Sequence, residues 1–541
     1  MCRLRWGEKL GGWKVVVGVF VVVWAGSGWC MGEGIREARG EGGRIYLTDY
    51  IEERGRGVVH WSYNGRWDDH EAVVVEDGQG REIGRVRYPA DRFYPQDGAA
   101  PGKVWLTPVN RAGQAGRRCE VELKDTSAAL EVKGMARIGV RRGARFAGFV
   151  ERGSGRPVVL KGVNYIRLRG GDHGTFEATV GDRPAYYDPL ECESMFRLLR
   201  RCGCNTVRVF IIGRSAGNPG IAGEYERTKG LYEPYLRNVV DFLRRARRYG
   251  IYVLPTFGDG ELPRNRYYRE MLKGVPDGKN GIYLTRKGIA AKQSYIVDFL
   301  RGLKKIDGDV WKVLLGVQLQ NEMYLDGAAW PFTVRTGTLT MANGQTYDMA
   351  DPAQRQALMD EGINYYYRAL VKAVKAVDPE LLVSEGVFTW RAVGKDFRRD
   401  KGVYAREGGD RRFPPALTVL GQSGLDFLDV HFYRVRREES VGQAWVRDMA
   451  STGFAAEAMA LVRRETPVIL GEFGAFRKVD DSFAEAAEHL IEIRDLASRE
   501  SMAGWLMWTF DCFEQKRLYP ALEGGELFLQ RLSEGSAPVT K

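Results

Sequence analysis

The chain has 541 residues, 44% of them hydrophobic, with 81 basic against 70 acidic side chains and a net charge of +11. That is long for one domain and apolar enough for packed cores, and a barrel of about 250 residues or more plus a small module divides it naturally. The charge alone names no partner: the basic residues are spread along the chain, Arg244-Arg245 and Arg247-Arg248 fall on a predicted helix, and no nucleic-acid-binding motif accompanies them. They read as a solvated face, which excludes nucleic acid as the expected partner and leaves an acidic polysaccharide open.

Residues 1–27 read as an export signal, with Arg3, Arg5, Lys9 and Lys14 before the apolar run 15–24 and the small residues Ala25-Gly26-Ser27 before Gly28. An uncleaved anchor is the rival. The run is shorter than the roughly 20 residues a spanning helix needs, which favours cleavage, no stable membrane insertion and a secreted, periplasmic or cell-surface protein. Export permits disulfides, yet Cys30, Cys119, Cys192, Cys202, Cys204 and Cys512 are sparse for this length, and buried free thiols are the default. Cys202 and Cys204 flank a glycine with no matching pair, and the five histidines lack metal-site spacing, so neither metal nor cofactor is expected.

Residues 28–43, rich in Gly, Glu and Arg, read as a linker. Short β-type runs follow at 44–48, 57–63, 71–76, 82–88, 103–109 and 118–123, punctuated by turns such as Asp77-Gly78, which suits a β-sandwich over 44–128. The stretch from Val104 through Trp105, Pro108 and Asn110 to Gly113 resembles the penultimate strand and turn of fibronectin type III modules, with Trp61 as the core tryptophan of an early strand.

From Phe149 a hairpin turning at Gly153-Ser154-Gly155 leads into alternating strands and helices that occupy 136–534. Strands are predicted at 159–165, 205–211, 251–257, 314–322, 381–385, 425–433, 468–474 and 503–509, and helices at 189–201, 233–249, 286–305, 351–377, 446–464 and 482–500. Eight apolar strands in repeated βα units imply an α/β fold, a closed parallel (β/α)8 TIM barrel behind the small N-terminal β-sandwich. Two connections are long. The one after Glu322 carries Trp330 and a hairpin turning at Asn343-Gly344, the one after Glu385 carries Trp390, and both read as cleft walls.

Two strands end on acids. Strand four stops on Asn321-Glu322, and strand seven on Gly471-Glu472-Phe473-Gly474. One such acid is weak evidence, but two on the C-terminal face of one barrel are what glycosidic bond cleavage needs. Neighbouring strand ends add Arg208 on strand two, His431 and Tyr433 on strand six and Trp508 on strand eight.

From the hairpin before Gly162 to near Phe528, the chain resembles clan A glycoside hydrolases, most closely glycoside hydrolase family 5, a group rich in cellulases and mannanases. The resemblance rests on Asn321-Glu322, His431-Phe432-Tyr433, Gly471-Glu472-Phe473-Gly474 and Trp508 in barrel order. It implies a retaining enzyme on poly- or oligosaccharides, with Glu472 as nucleophile and Glu322 as acid/base. Arg208 and Tyr433 would favour the Glu472 anion, Asn321 would bind the sugar 2-hydroxyl, and Trp508 would floor the subsite of the cleaved sugar, with Arg208, His431 and Tyr433 counted among the substrate-contacting residues. Many members place a histidine after strand three, whereas 255–260 here has none and offers Phe257 or Asp259. Tyr165, Phe257, Tyr324, Trp330 and Trp390 are further aromatic candidates, each open to a packing role. A transglycosylase using the same pair, and a non-catalytic carbohydrate-binding or scaffold protein, are the alternatives.

Overall fold

The computed structural model describes residues 44–535 except 54, 64–69, 96–101, 170–171, 184, 214–218, 259–261, 396–402, 404–408 and 513–514. The expected export signal and linker, and Asp259, lie outside the described residues.

The N-terminal strands form two antiparallel sheets. One has three strands, Ile45–Glu53, Arg56–Tyr63 and Arg92–Phe93 in that order; the other has four, ordered Glu82–Arg87, His70–Glu76, Lys103–Asn110 and Cys119–Glu122. Alternating apolar side chains from both meet in one core, where Val59 and Trp61 of the first sheet join Val73, Val75, Val104, Leu106 and Val121 of the second. Trp61 is wholly buried there and packs, as a sandwich-core tryptophan does. The strand Arg92–Phe93 escaped sequence reading because two residues carry no period.

A further antiparallel sheet of Ile138–Arg141, Gly148–Glu151 and Pro157–Val158 precedes the barrel and contains the expected hairpin. Phe149 from it packs edge to face on Phe427 at 5.3 Å and shares a core with Leu160, Leu254 and Ile469, inward residues near the starts of the barrel strands. This sheet therefore plugs the end of the barrel opposite the strand tips.

The barrel is closed and parallel, with eight strands: Leu160–Tyr165, Thr206–Ile211, Tyr252–Phe257, Gly316–Gln318, Leu382–Phe388, Phe427–Tyr433, Val468–Gly474 and Gly504–Met507. The eighth returns to pair with the first, Met507 opposite Val163. The expected helices form at Pro189–Arg201, Glu233–Arg248, Arg286–Ile306, Pro352–Val377 and Phe483–Arg499. Two expectations need correction. The fourth strand covers only Gly316–Gln318, not 314–322, because the chain then bends out of the regular ladder, and Met323 N–H donates to Gly386 O within the fifth strand. The helix expected at 446–464 is two helices, Val441–Ser451 and Glu457–Glu465, broken where Gly453 adopts φ +78°. The hairpin after Glu322 forms as expected, Thr338–Thr340 against Thr346–Asp348, with Gly344 at φ +82°.

The sandwich is seated on the helix Pro189–Arg201. Arg197, fully buried, donates from Nη1 to Tyr50 O (3.0 Å) and from Nη2 to Thr126 Oγ1 (2.8 Å), with Asp49 and Asp125 at 3.3 and 3.5 Å. Burial pushes the Asp49 carboxyl up to about 6, against the pull of the Arg197 charge. Arg92 of the sandwich bonds Asp188, the N-cap of the same helix, at 2.7 Å. Cys119, Cys192, Cys202 and Cys204 are free thiols; of these only Cys119 is not buried, and Cys512 is buried as well. No helix among the described residues is long and apolar enough to cross a membrane.

Candidate active site

The mouth of the barrel contains a layer of polar side chains carried on otherwise apolar strands: Asn164, Arg208, Thr256, Gln318 and Asp429 are each without exposure. Polar groups so far from water must be paired, and these pair around Arg208. Its guanidinium donates from Nη1 to Glu472 Oε1 (2.7 Å) and Asn164 Oδ1 (2.8 Å), from Nη2 to Asn321 Oδ1 (2.8 Å) and from Nε to Gln318 Oε1 (2.6 Å). Gln318 in turn receives Thr256 Oγ1–H at 2.9 Å and donates to Asp429 Oδ2 at 2.7 Å. A planar fork with donors on several edges can hold such a set in place, which a lysine cannot.

Above this layer lie the two glutamates. One carboxylate oxygen of Glu322, one of Glu472 and one ring nitrogen of His431 all fall within 4.8 Å of one another. His431 Nδ1 is 2.9 Å from Glu322 Oε1 and 3.4 Å from Glu472 Oε2, and Tyr433 Oη–H donates to Glu472 Oε2 at 3.0 Å. The side chain of Glu322 retains 12% exposure and that of Glu472 5%, so both edge the cleft and Glu322 faces it more openly. The Arg208 charge sits on Glu472 alone, which makes the two acids unequal.

Electrostatics follow from this packing. Burial by itself disfavours a charged imidazole, but the carboxylates of Glu472 and Asp429, with the bond to Glu322, outweigh it and raise His431 to about 10. Burial pushes the Glu472 carboxyl above its ordinary range; His431 and Arg208 pull it down, and Glu322 and Asp429 add to the rise. Burial and the same glutamates hold the Tyr433 phenol well above its usual value, so it stays a donor. With His431 charged, the cluster has two cations and three carboxyl groups, so it is neutral when one carboxyl carries a proton. The guanidinium on Glu472 and the imidazolium oppose a metal cation between the glutamates.

The structure brings Arg208, Asn321, Glu322, His431, Tyr433 and Glu472 together. Glu322 arrives from the turn after the fourth strand, not from the strand itself. Arg208 and His431, expected among substrate contacts, are both buried, and each contacts Glu472. Asn321 offers its carbonyl to Arg208, which leaves its NH2 as the outward donor. Trp508 is near Tyr433 but 3% exposed, edge to face with Phe210 at 5.7 Å and bonded through Nε1 to Gln515 (2.8 Å).

Of the other aromatic candidates, Tyr165, Phe257 and Trp390 are core residues; Phe257 packs on Tyr295 and Phe299. Tyr324, two residues after Glu322, is half-buried beneath Lys279, whose Nζ lies 4.3 Å from its ring. The two long loops are stitched together there, Leu325–Asp326 pairing with Arg412–Phe413.

Asn164, Gln318 and Asp429 were missed from sequence. The signal was present for Asp429: side chains two apart share a strand face, so Asp429, His431 and Tyr433 form one row from the barrel interior to its mouth.

No family model matches the chain, and no curated protein matches it. Among solved structures it is similar to the endo-1,4-β-mannanase of Rhizomucor miehei (15% identity, TM-score 0.46, covering 69% of this chain and 90% of that one). It is also similar to the β-mannanase of the blue mussel Mytilus edulis (16%, 0.41, covering 75% and 99%) and to the exo-β-1,4-mannosidase Op5Man5 of Opitutaceae bacterium strain TAV5 (17%, 0.45, covering 76% and 62%). Similarity at this level does not extend to substrate.

Proposed function

We propose that the chain is a retaining β-glycosidase acting on poly- or oligosaccharides, with Glu472 as nucleophile and Glu322 as acid/base. The observation that carries this reading is the approach of the two carboxyl groups to within 4.8 Å, with Arg208 and Tyr433 both bound to Glu472. Retaining enzymes hold their carboxyl groups about 5–5.5 Å apart, whereas inverting ones leave about 6.5–9.5 Å for a water.

Glu472 attacks the anomeric carbon while Glu322 gives its proton to the departing glycosidic oxygen. The ester that forms removes the Glu472 charge. Glu322, now a carboxylate, takes a proton from water, whose oxygen attacks the same carbon and releases Glu472. Arg208 and Tyr433 stabilise the Glu472 carboxylate that leaves in this second step. The Asn321 NH2 is the donor assigned to the sugar 2-hydroxyl, and Trp508, packed near Tyr433, is assigned to the aromatic floor of the subsite of the cleaved sugar.

The strand order of the N-terminal sheets supports a fibronectin type III-like module at 44–128, with the catalytic domain at 136–534. Export by the signal at 1–27 belongs to the same reading.

The test is to screen the purified protein on β-mannans, β-glucans and aryl β-glycosides and to follow the first product anomer by proton NMR. The β-anomer should appear first and mutarotate later. Initial release of the α-anomer, or no cleavage of any β-glycoside, would refute the proposal.

A further inference from the structure

We infer that Asp429, a third carboxylate behind the glutamate pair, is a positioning residue that acts through His431 to keep the proton on Glu322 before bond cleavage. The inference rests on the acid/base reading of Glu322 and deepens it.

Three contacts place Asp429. Its Oδ2 accepts from Gln318 Nε2 at 2.7 Å, lies 3.5 Å from His431 Nε2 and 3.8 Å from Arg208 Nε. It is without exposure, and among the described residues its Oδ1 has no hydrogen-bond partner. A buried carboxylate with one oxygen unbonded is held by charge, and the two charges within reach are Arg208 and His431.

The barrel makes room for this group at two glycines. A Cβ on Gly471, the residue before Glu472, would lie 2.0 Å from both Asp429 oxygens, and a Cβ on Gly386 would lie 3.1 Å from His431 Nε2 and 2.1 Å from Asn321 O. Neither glycine has a positive φ, so what each supplies is space. Gly471 lets the Asp429 carboxylate sit against the strand that carries Glu472, and Gly386 does the same for the imidazole.

The titratable groups facing His431 are Glu322 from beyond the fourth strand, Glu472 from the seventh, and Asp429 and Tyr433 from its own; the fifth strand brings Gly386 close and pairs Phe388 with His431. Arg208, from the second strand, reaches Asp429 and Glu472 but not the imidazole. Asp429 is thus the anion on the inner side of His431, and Glu322 is bonded to the outer side. While Asp429 stays anionic, Arg208, His431, Asp429 and Glu472 sum to zero, and a proton on Glu322 leaves the buried cluster neutral. Without that anion the cluster with Glu322 protonated carries a positive charge, and His431 gives up its proton at lower pH.

The test is Asp429→Asn, which keeps an oxygen acceptor for Gln318 and removes the charge. In histidine-labelled protein, with the His431 signal assigned by its loss in His431→Gln, wild-type His431 should stay protonated to about pH 10, and its midpoint should fall by about one unit or more in the variant. A wild-type midpoint near 6.5 overturns the proposal without any variant. Turnover should lose its alkaline limb earlier by a similar amount, and kcat should fall about 10-fold or more for a poor leaving group but less for an activated one. A loss uniform across pH and leaving groups, with the His431 midpoint unmoved, is what a merely structural aspartate would give and overturns it. If Asp429→Asn does not fold, Asp429→Ser is titrated in its place. If the wild type cleaves no β-glycoside while the His431 midpoint responds, the coupling stands and the glycosidase reading falls.

Discussion

Replacing Arg208 by lysine isolates what the guanidinium does for Glu472. The wild-type fork donates four hydrogen bonds, to Glu472, Asn164, Asn321 and Gln318. A lysine ammonium is a point charge on a longer stem and can keep part of the Coulomb attraction but not that set of directions. A hydrogen bond to a charged group contributes about 1.5–3 kcal/mol, so loss of the Nη1–Glu472 bond, with the Asn321 amide released as well, should cost about 3 kcal/mol in the transition state, or on the order of 10²-fold in kcat/KM. The pH sign is fixed by the same geometry. Burial already holds the Glu472 carboxyl above its ordinary range, and Arg208 is one of the two charges opposing that rise. Weakening it moves Glu472 further up, so the acid limb, below which the nucleophile is protonated, should shift to higher pH. The assay is kcat/KM against pH on an aryl β-glycoside, with circular dichroism and thermal melting to confirm that the variant is folded. A folded Arg208→Lys protein within threefold of wild type, with its acid limb unmoved, would show that Arg208 does not set the charge state of Glu472.

Two further variants test other parts of the account. Glu322→Ala should lose about 10²-fold or more on substrates with poor leaving groups and much less on activated ones, with azide restoring turnover of the latter; equal loss on both without rescue would remove Glu322 from the acid/base role. Arg197→Ala leaves Asp49 and Asp125 in the seam between sandwich and barrel without their cation. It should cost about 3–5 kcal/mol in urea unfolding, and an unchanged unfolding midpoint would mean that the seam does not stabilise the fold.

The architecture was legible wherever apolar runs were long and ended in turns or caps. The helix Pro189–Arg201, with Asp188 as its cap and proline at its first position, was read to the residue. The fourth strand was overread because 314–319 is apolar but for Gln318, and hydropathy does not record that the ladder breaks after Gln318. The two-residue strand Arg92–Phe93 carries no pattern to read, and the strand Ile138–Arg141 was also missed. In the site, the residues at strand tips were found, but of the layer beneath them only Arg208 was. Gln318 and Asp429 look like interruptions of apolar strands, and only the closed barrel turns such interruptions into a paired network around Arg208. The same closure explains why Arg208 and His431 are buried: both point into the barrel, where neighbouring strands cover them.

The most direct measurement is trapping with 2-deoxy-2-fluoro β-glycosides carrying activated leaving groups, followed by mass spectrometry of the digested protein. The sugar should matter less than the site, so several are offered. The account requires one equivalent of fluoroglycosyl ester on the peptide containing Glu472 in wild-type protein and none in Glu472→Gln. Steady hydrolysis of the parent β-glycosides with no adduct from any of the matching probes, or an ester on a residue other than Glu472, would contradict it.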